Sequence, residues 1–495
     1  MLLRNSLWNA AGAAVPALVA LATIPLLVAA LGIAGYGWLT LVTSIVGYFG
    51  ALDINLTSGT IKYLSEAHAN GNKRRISQVF WFSAGFYGLL GLVVCLAIGI
   101  FAGQLIDVFG KTTPEEREGI VVALRIGALG FAIVQIQSVL ISVLHALQRY
   151  DISARSEMLF GVTANLLSVA VAVAGFGLAT VVLTRVAVSV FNCFFLVRQL
   201  RVLAVPLSFV APDKEVRQTL FSFSAYAYLS KLASTLHQHG DKLIVGALGG
   251  PVAVTIYTVP FTLAGRVLGM TGRLSSVIFP HASTLAATNR LEELRPTYLA
   301  AIRHISYLNF MVCSGMVLAG DEFLRRWVGE VFVNQGYPVL VLMAFALLAD
   351  SLTNMPSLVN DALGKPRVSG VFALIHGVIG LIFIYFGMST FGIVGAASAH
   401  TLTAIFLSAA FLIYVHGRTV PIALLEIVKN VGQPLLFGLG ILSLFIIIKS
   451  LLPSGILIAG IVTVICILAL LLNGMVYVMR QDDRTKVVNI LISKF

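Results

Sequence analysis

Lys231, Asp241, Lys242, Arg266 and Arg273 stand inside two apolar stretches of the run Phe221 to Pro280, each long enough to cross a bilayer. A charge near the middle of a membrane costs roughly 2.5–3.5 kcal/mol on insertion scales, so each of them needs protein or water to face. Helical spacing gathers them. Lys231, Thr235, Gln238 and Lys242 fall at i, i+4, i+7 and i+11, with Ser230, Ser234, His237 and Asp241 in the adjacent row. In the next span Thr262, Arg266, Gly269, Arg273 and Ser276 form a similar stripe. Two polar stripes on consecutive helices predict the wall of a cavity. A buried structural ion pair, such as Asp241 with Arg266, is the alternative. The basic excess favours the cavity, because pairing cannot neutralise it.

Other interior polar residues also fall on stripes. Asp53, Thr57 and Thr60 line the inner end of the second span, and Arg125 and Gln135 lie about three turns apart on the fourth. Arg185, Ser189 and Asn192 follow i, i+4, i+7 on the sixth, and Asp350, Asn354 and Ser357 repeat that pattern on the tenth. Six basic residues (Arg125, Arg185, Lys231, Lys242, Arg266, Arg273) against three acids (Asp53, Asp241, Asp350) leave a cationic interior. Such an interior suits an anionic cargo, through pairing of Arg and Lys with phosphate. Each of these residues is equally readable as a bond between helices. Asp350, with Asn354 and Ser357 on one face, is the best-placed carboxylate for coupling to a proton or sodium ion; capping or pairing with a neighbouring helix is the other reading.

No GKS or GKT phosphate loop, HExxH, CxxC or GxSxG occurs, so the sequence offers no residues for direct ATP drive, metal catalysis or nucleophilic hydrolysis. The reading is therefore a transporter with no catalytic residues, no metal and no cofactor. Cys95, Cys193, Cys313 and Cys466 all lie in apolar runs without metal-like spacing and read as small core residues.

The elements that must position these residues are membrane helices. Hydrophobic residues make up 58% of the 495 residues and charged ones 11%, a balance that excludes a soluble domain. The first run, Leu7 to Leu31, is too long for a signal-peptide core and reads as a retained span. Fourteen spans are predicted, near 7–31, 38–60, 78–102, 120–144, 158–176, 179–197, 219–248, 252–280, 304–320, 338–358, 368–388, 392–414, 432–451 and 455–479. With the N-terminus inside, 22 Lys and Arg fall in inner loops and five in outer loops, the remaining six being interior. That asymmetry puts both termini in the cytoplasm and accounts for the net charge of +12 without a nucleic-acid partner.

The chain also repeats at a spacing near 216. Leu31-Gly32 matches Leu248-Gly249, LIDVFG (105–110) matches FLRRWVG (323–329), and Ala146-Leu147 matches Ala362-Leu363. FGLATVVLTRVAVSVF (176–191) matches FGIVGAASAHTLTAIF (391–406). The predicted fold is an all-α polytopic membrane protein of about 14 transmembrane helices, two six-helix repeat bundles plus a C-terminal helix pair. The first bundle spans 1–200, a cytoplasmic linker 201–218 and the second bundle 219–417. Helices 13 and 14 and a cytoplasmic tail occupy 418–495.

LGIAGYG (31–37), DKLIVGALG (241–249), FPHAS (279–283), FLRRWVG (323–329) and ALGKPR (362–367), in that order along nearly the whole chain, resemble the Wzx-type polysaccharide flippases of the multidrug/oligosaccharidyl-lipid/polysaccharide exporter superfamily. The resemblance implies a multi-pass protein of the bacterial inner membrane. Its cargo would be an undecaprenyl-diphosphate-linked glycan, moved to the outer leaflet by alternating access amid membrane lipid and polysaccharide polymerase machinery. The rivals are a lipid II flippase or a multidrug exporter of the same superfamily, or a membrane-bound glycan polymerase or ligase. The first span lacks the charged residues that the first two rivals carry there, and neither outer loop has the size expected of the third.

Overall fold

The computed structural model describes residues 2–110, 112–275, 285, 293–420 and 422–478. FPHAS (279–283), with His281, lies outside them, as do Ser276, Lys111, Arg290 and the tail residues Arg480, Arg484, Lys486 and Lys494. Fourteen α-helices and no strand occur among the described residues. They are α1 (Leu2–Tyr48), α2 (Leu56–Ala69), α3 (Lys73–Asp107), α4 (Pro114–Ala146), α5 (Tyr150–Val173), α6 (Leu178–Val202) and α7 (Lys214–Thr235). There follow α8 (Asp241–Ser275), α9 (Leu294–Trp327), α10 (Val331–Asn334), α11 (Gly336–Ala362), α12 (Pro366–Arg418), α13 (Leu424–Leu451) and α14 (Ile456–Tyr477).

Three of these helices hold an internal break, and two of them, α1 and α12, are too long for one crossing. The 53 residues of α12 would reach about 80 Å at 1.5 Å per residue, against a hydrocarbon thickness of about 30 Å. Each long helix is broken at a glycine with positive φ: Gly32 in α1 (75°), Gly250 in α8 (73°) and Gly392 in α12 (64°). Only glycine adopts these angles, with extended ψ, without a Cβ clash. Among the described residues, ten helical stretches are long and apolar enough to span. Three of them are the broken helices and hold two predicted spans each, so thirteen of the fourteen predicted spans are accommodated. The fourteenth, 304–320, lies in the more polar α9. The protein is an all-α, multi-pass membrane protein.

Two local predictions are corrected. The span 38–60 is not one helix: after α1 comes a 3₁₀ turn, Phe49–Leu52, then non-helical backbone to Asn55, where α2 begins. The span 219–248 is interrupted by a π-helical segment, Leu236–Gly240. The hydrophobic run hides both breaks, because polar side chains rather than apolarity stabilise them.

The chain packs as two compact units. Unit 1 comprises 1–258 and 373–393, and unit 2 comprises 259–372 and 394–495. In unit 1, α1 lies against α5, α4 against α3 and α6, and α2 against α3, α4 and α7. Leu56, Val79, Tyr87, Leu144, Leu196 and Leu220 form its core. The segment after α6 is strapped to the start of α3. Ser77, Gln78 and Trp81 donate to the carbonyls of Pro206, Ala211 and Leu207 at 2.7, 3.0 and 3.0 Å. Arg75 pairs with Asp213 and Glu215. The Val216 N–H, ahead of Arg75, holds the Asp213 carboxyl below its ordinary value.

In unit 2, α9 packs on α11, α13 and α14 around Phe310, Leu318, Leu442, Cys466 and Leu470. Gly438 and Gly474 let Phe310 and Tyr307 approach the backbones of α13 and α14. Tyr307 donates to the Leu470 carbonyl at 2.7 Å and accepts from Asn473 at 2.7 Å. The predicted motifs FLRRWVG and ALGKPR are structural here. Arg325 pairs with Glu322 and Glu330, and Asn360 donates to the Lys365 carbonyl and to Ser369 around the turn at Gly364.

Candidate functional site

The break between α1 and α2 is built from side chains. Asn55 takes the left-handed conformation (φ 57°) that Asn tolerates, and its N–H donates to Asp53 Oδ1 at 2.9 Å. The hydroxyls of Thr57 and Ser58 donate back to Asn55 Oδ1 at 3.2 Å each. Tyr87 reaches in from α3, fully buried, donates to Asp53 Oδ1 at 2.8 Å and accepts from the Thr57 N–H at 3.1 Å. Non-helical backbone at membrane depth survives only where protein or water satisfies it, and these bonds do so. Asp53 is 6% exposed, and its other oxygen faces Lys231 Nζ at 3.9 Å.

A second charged pair follows the π segment. Asp241, 1% exposed, accepts from the Lys242 N–H at 2.8 Å and from Lys242 Nζ at 3.2 Å. The same ammonium donates to the Gln238 carbonyl in the π turn. The expected pairing of Asp241 with a cation is thus met by its own neighbour rather than by Arg266. A π turn spends an extra residue per turn, so the stripe Lys231–Thr235–Gln238–Lys242 does not continue on one face, as straight α-helical spacing predicted. Tyr257 faces Asp241 from farther along α8. The His239 ring occupies the space that a Cβ at Gly47 would fill, and the His237 ring meets that of His376 edge-on at 5.7 Å between centroids.

Structure therefore places Asp53 with Lys231 at one helix break and Asp241 with Lys242 at a second, both in unit 1. Arg185 is separate: its Nε donates to Ser168 on α5 at 3.1 Å. Arg125 is exposed on α4. In unit 2, Arg266 is exposed on α8, and Arg273 lies on the same helix with its side chain outside the described residues. Asp350 accepts from Ser408 at 3.1 Å, while Asn354, one turn on, is exposed. A polar groove of 690 Å³, lined by Arg295, Arg303, Glu426 and Asn430, lies elsewhere in unit 2.

Sequence reasoning missed Tyr87, Tyr257 and Gly47. A tyrosine in an apolar run carries no signal of its own. Asp53 followed by Asn55 and Thr57, a break-forming cluster, was the signal for the discontinuity.

Residues 27–335 match the family described as polysaccharide biosynthesis protein. The chain belongs to that family. The match bears out the resemblance to Wzx-type flippases read from the sequence. A putative O-antigen transporter of Shigella flexneri is 21% identical over 430 residues, covering 84% of this chain and 98% of its own. A probable flippase of Haloferax volcanii is 22% identical over 381 residues, covering 75% of each. Among solved structures, an inward-facing multidrug resistance MATE transporter of the MOP superfamily aligns with a TM-score of 0.68 and 18% identity, covering 84% of this chain and 94% of its own. The lipid II flippase MurJ, in an inward closed conformation, aligns with a TM-score of 0.65 and 12% identity, covering 92% and 97%. This member of the polysaccharide biosynthesis family thus has the fold of those transporters. Its relatives are named as transporters and flippases rather than as enzymes.

Proposed function

We propose that the protein is a flippase for a lipid-linked glycan, moving it intact from one membrane leaflet to the other. The observation that carries this reading is the charged centre of Asp53, Tyr87 and Lys231 at a broken membrane helix. Charge and unwound backbone are costly in a bilayer, and discontinuous helices are where membrane transporters hold their ligands. The family membership and the names of the relatives support a glycan precursor as the cargo.

In finer terms, the cargo is an undecaprenyl-diphosphate-linked oligosaccharide carried by alternating access in the bacterial inner membrane, with both termini cytoplasmic. Lys231, Lys242, Arg125, Arg185, Arg266 and Arg273 meet the diphosphate or acidic sugars. A proton or sodium gradient supplies the energy, with Asp53, Asp241 and Asp350 as the carboxylates available to it. Two six-helix repeats and a final helix pair carry the motion, and polymerase machinery takes over the delivered glycan.

The test is reconstitution into sealed vesicles with an isoprenoid-diphosphate-linked oligosaccharide on the inner leaflet. Accessibility to an external lectin is followed with time, and the lipid is recovered and analysed. Protein-dependent appearance outside with the molecule unchanged is expected. Cleaved or lengthened glycan would indicate an enzyme. No movement of glycan, with transport of lipid II or of a cationic drug instead, would favour the rivals in the superfamily.

A further inference from the structure

We infer that the groove between α5 and α6, on a bilayer-facing side of unit 1, binds an anionic phospholipid of the cytoplasmic leaflet. The inference goes beyond the proposed function and does not depend on it; the leaflet follows from the Lys and Arg asymmetry of the loops. The groove has a volume of 560 Å³. Leu159 and Val162 of α5 and Phe195 of α6 wall it, with Arg155 and Gln199 at its inner end and Thr163 at the far end. Arg155 lies five residues from the inner end of α5, and Gln199 three from the inner end of α6.

Helical spacing turns this side of the pair to lipid. Leu159, Leu166 and Val173 recur on one face of α5 and are exposed, as are Leu183, Phe191 and Phe194 on α6. Buried polar bonds hold the two helices together behind that face. Ser156 donates to Asn192 Oδ1 at 2.5 Å, and Arg185 Nε donates to Ser168 at 3.1 Å. Phe160 supports the Phe195 ring at 5.6 Å between centroids. The groove is therefore set by the helix pair itself. From Arg155 to Thr163 it runs about 12 Å along α5, most of the roughly 15 Å of hydrocarbon in one leaflet. At about 30 Å³ per water, 560 Å³ holds roughly eighteen water-sized groups, the bulk of one acyl chain.

The inner end of the pair is basic. Arg155, Arg198 and Arg201 are exposed there against the single exposed acid Glu157, while Arg149 holds Asp151 through both oxygens at 2.9 and 3.0 Å. Basic pockets between membrane helices on the cytoplasmic side are where anionic headgroups bind. Here the Arg155 guanidinium matches the phosphate, and the Gln199 amide supplies a further donor. Of the lining residues only Arg155, Thr163 and Gln199 are polar, so the groove suits an acyl chain and not a sugar.

In the experiment the purified full chain in detergent is titrated with phosphatidylglycerol or with phosphatidylcholine, and bound lipid is counted by native mass spectrometry. The parent is expected to prefer phosphatidylglycerol. Arg155→Gln is expected to weaken phosphatidylglycerol binding about fivefold, for one lost basic contact, and to leave phosphatidylcholine unchanged. Val162→Trp, which fills the groove, is expected to weaken binding of both lipids. Lys429→Gln removes an exposed cation five residues from the start of α13 and is expected to change neither. If Val162→Trp fails to fold, Arg155→Gln, at an exposed position, carries the test. Equal affinity of the parent for the two lipids, or parental preference in Arg155→Gln, overturns the inference. So does displacement of phosphatidylglycerol by farnesyl diphosphate from the parent but not from Arg155→Gln, which would give the groove to an isoprenoid diphosphate. The phospholipid titrations need no cargo, so failure of the glycan-transfer assay with these results intact counts against the proposed function and not against the groove.

Discussion

Tyr87 and Asp53, 34 residues apart in sequence, meet at 2.8 Å where the second membrane span is broken. The tyrosine hydroxyl donates to the carboxylate and accepts from the first turn of α2, so one side chain holds both the charge and the break. Tyr87→Phe keeps the ring and removes the donor to a buried carboxylate. It is expected to destabilise the purified protein by about 1–3 kcal/mol, read as a lowered unfolding midpoint. An unchanged midpoint would mean that another donor serves Asp53.

Arg266 is exposed on α8 and stands inside an apolar run. Arg266→Ala is expected to insert normally and to lower glycan export. Arg266→Lys should keep part of it, since the charge remains while two-point phosphate binding is lost. Full export by the Ala variant at matched protein level would leave this residue without a cargo role.

Asp350 accepts from Ser408, which orients one carboxylate oxygen. Under the coupling reading, Asp350→Asn abolishes the dependence of export on a proton or sodium gradient. Gradient-dependent export surviving in that variant moves coupling to Asp53 or to no acid at all.

The loop charges predict an orientation that reporters can read. A tag active only outside the cytoplasm is expected to be silent when fused near Arg74, Lys214 or Arg484, and active near Glu116 or Glu330. Activity at Arg74 would reverse the orientation.

The sequence by itself determined the class of the molecule. Hydrophobic runs of bilayer length leave only helices as spanning elements, because the backbone has no water to bond to. Interior Lys, Arg and Asp residues also stood out in sequence, since charges are scarce where they are costly.

What only tertiary structure decided was which of those charges meet. Asp53 finds Lys231 and Tyr87 because α2, α3 and α7 converge, and nothing in their spacing along the chain encodes that convergence. Arg185 is bonded to Ser168, whereas Arg125 and Arg266 are exposed, although all three looked alike in sequence. The breaks at Asp53–Asn55 and Leu236–Gly240 escaped the periodicity because hydrophobic patterns report burial and not backbone continuity. The approach of the His239 ring to Gly47 is invisible in one dimension for a simpler reason: a glycine shows where a side chain is missing, and only packing shows what fills the space.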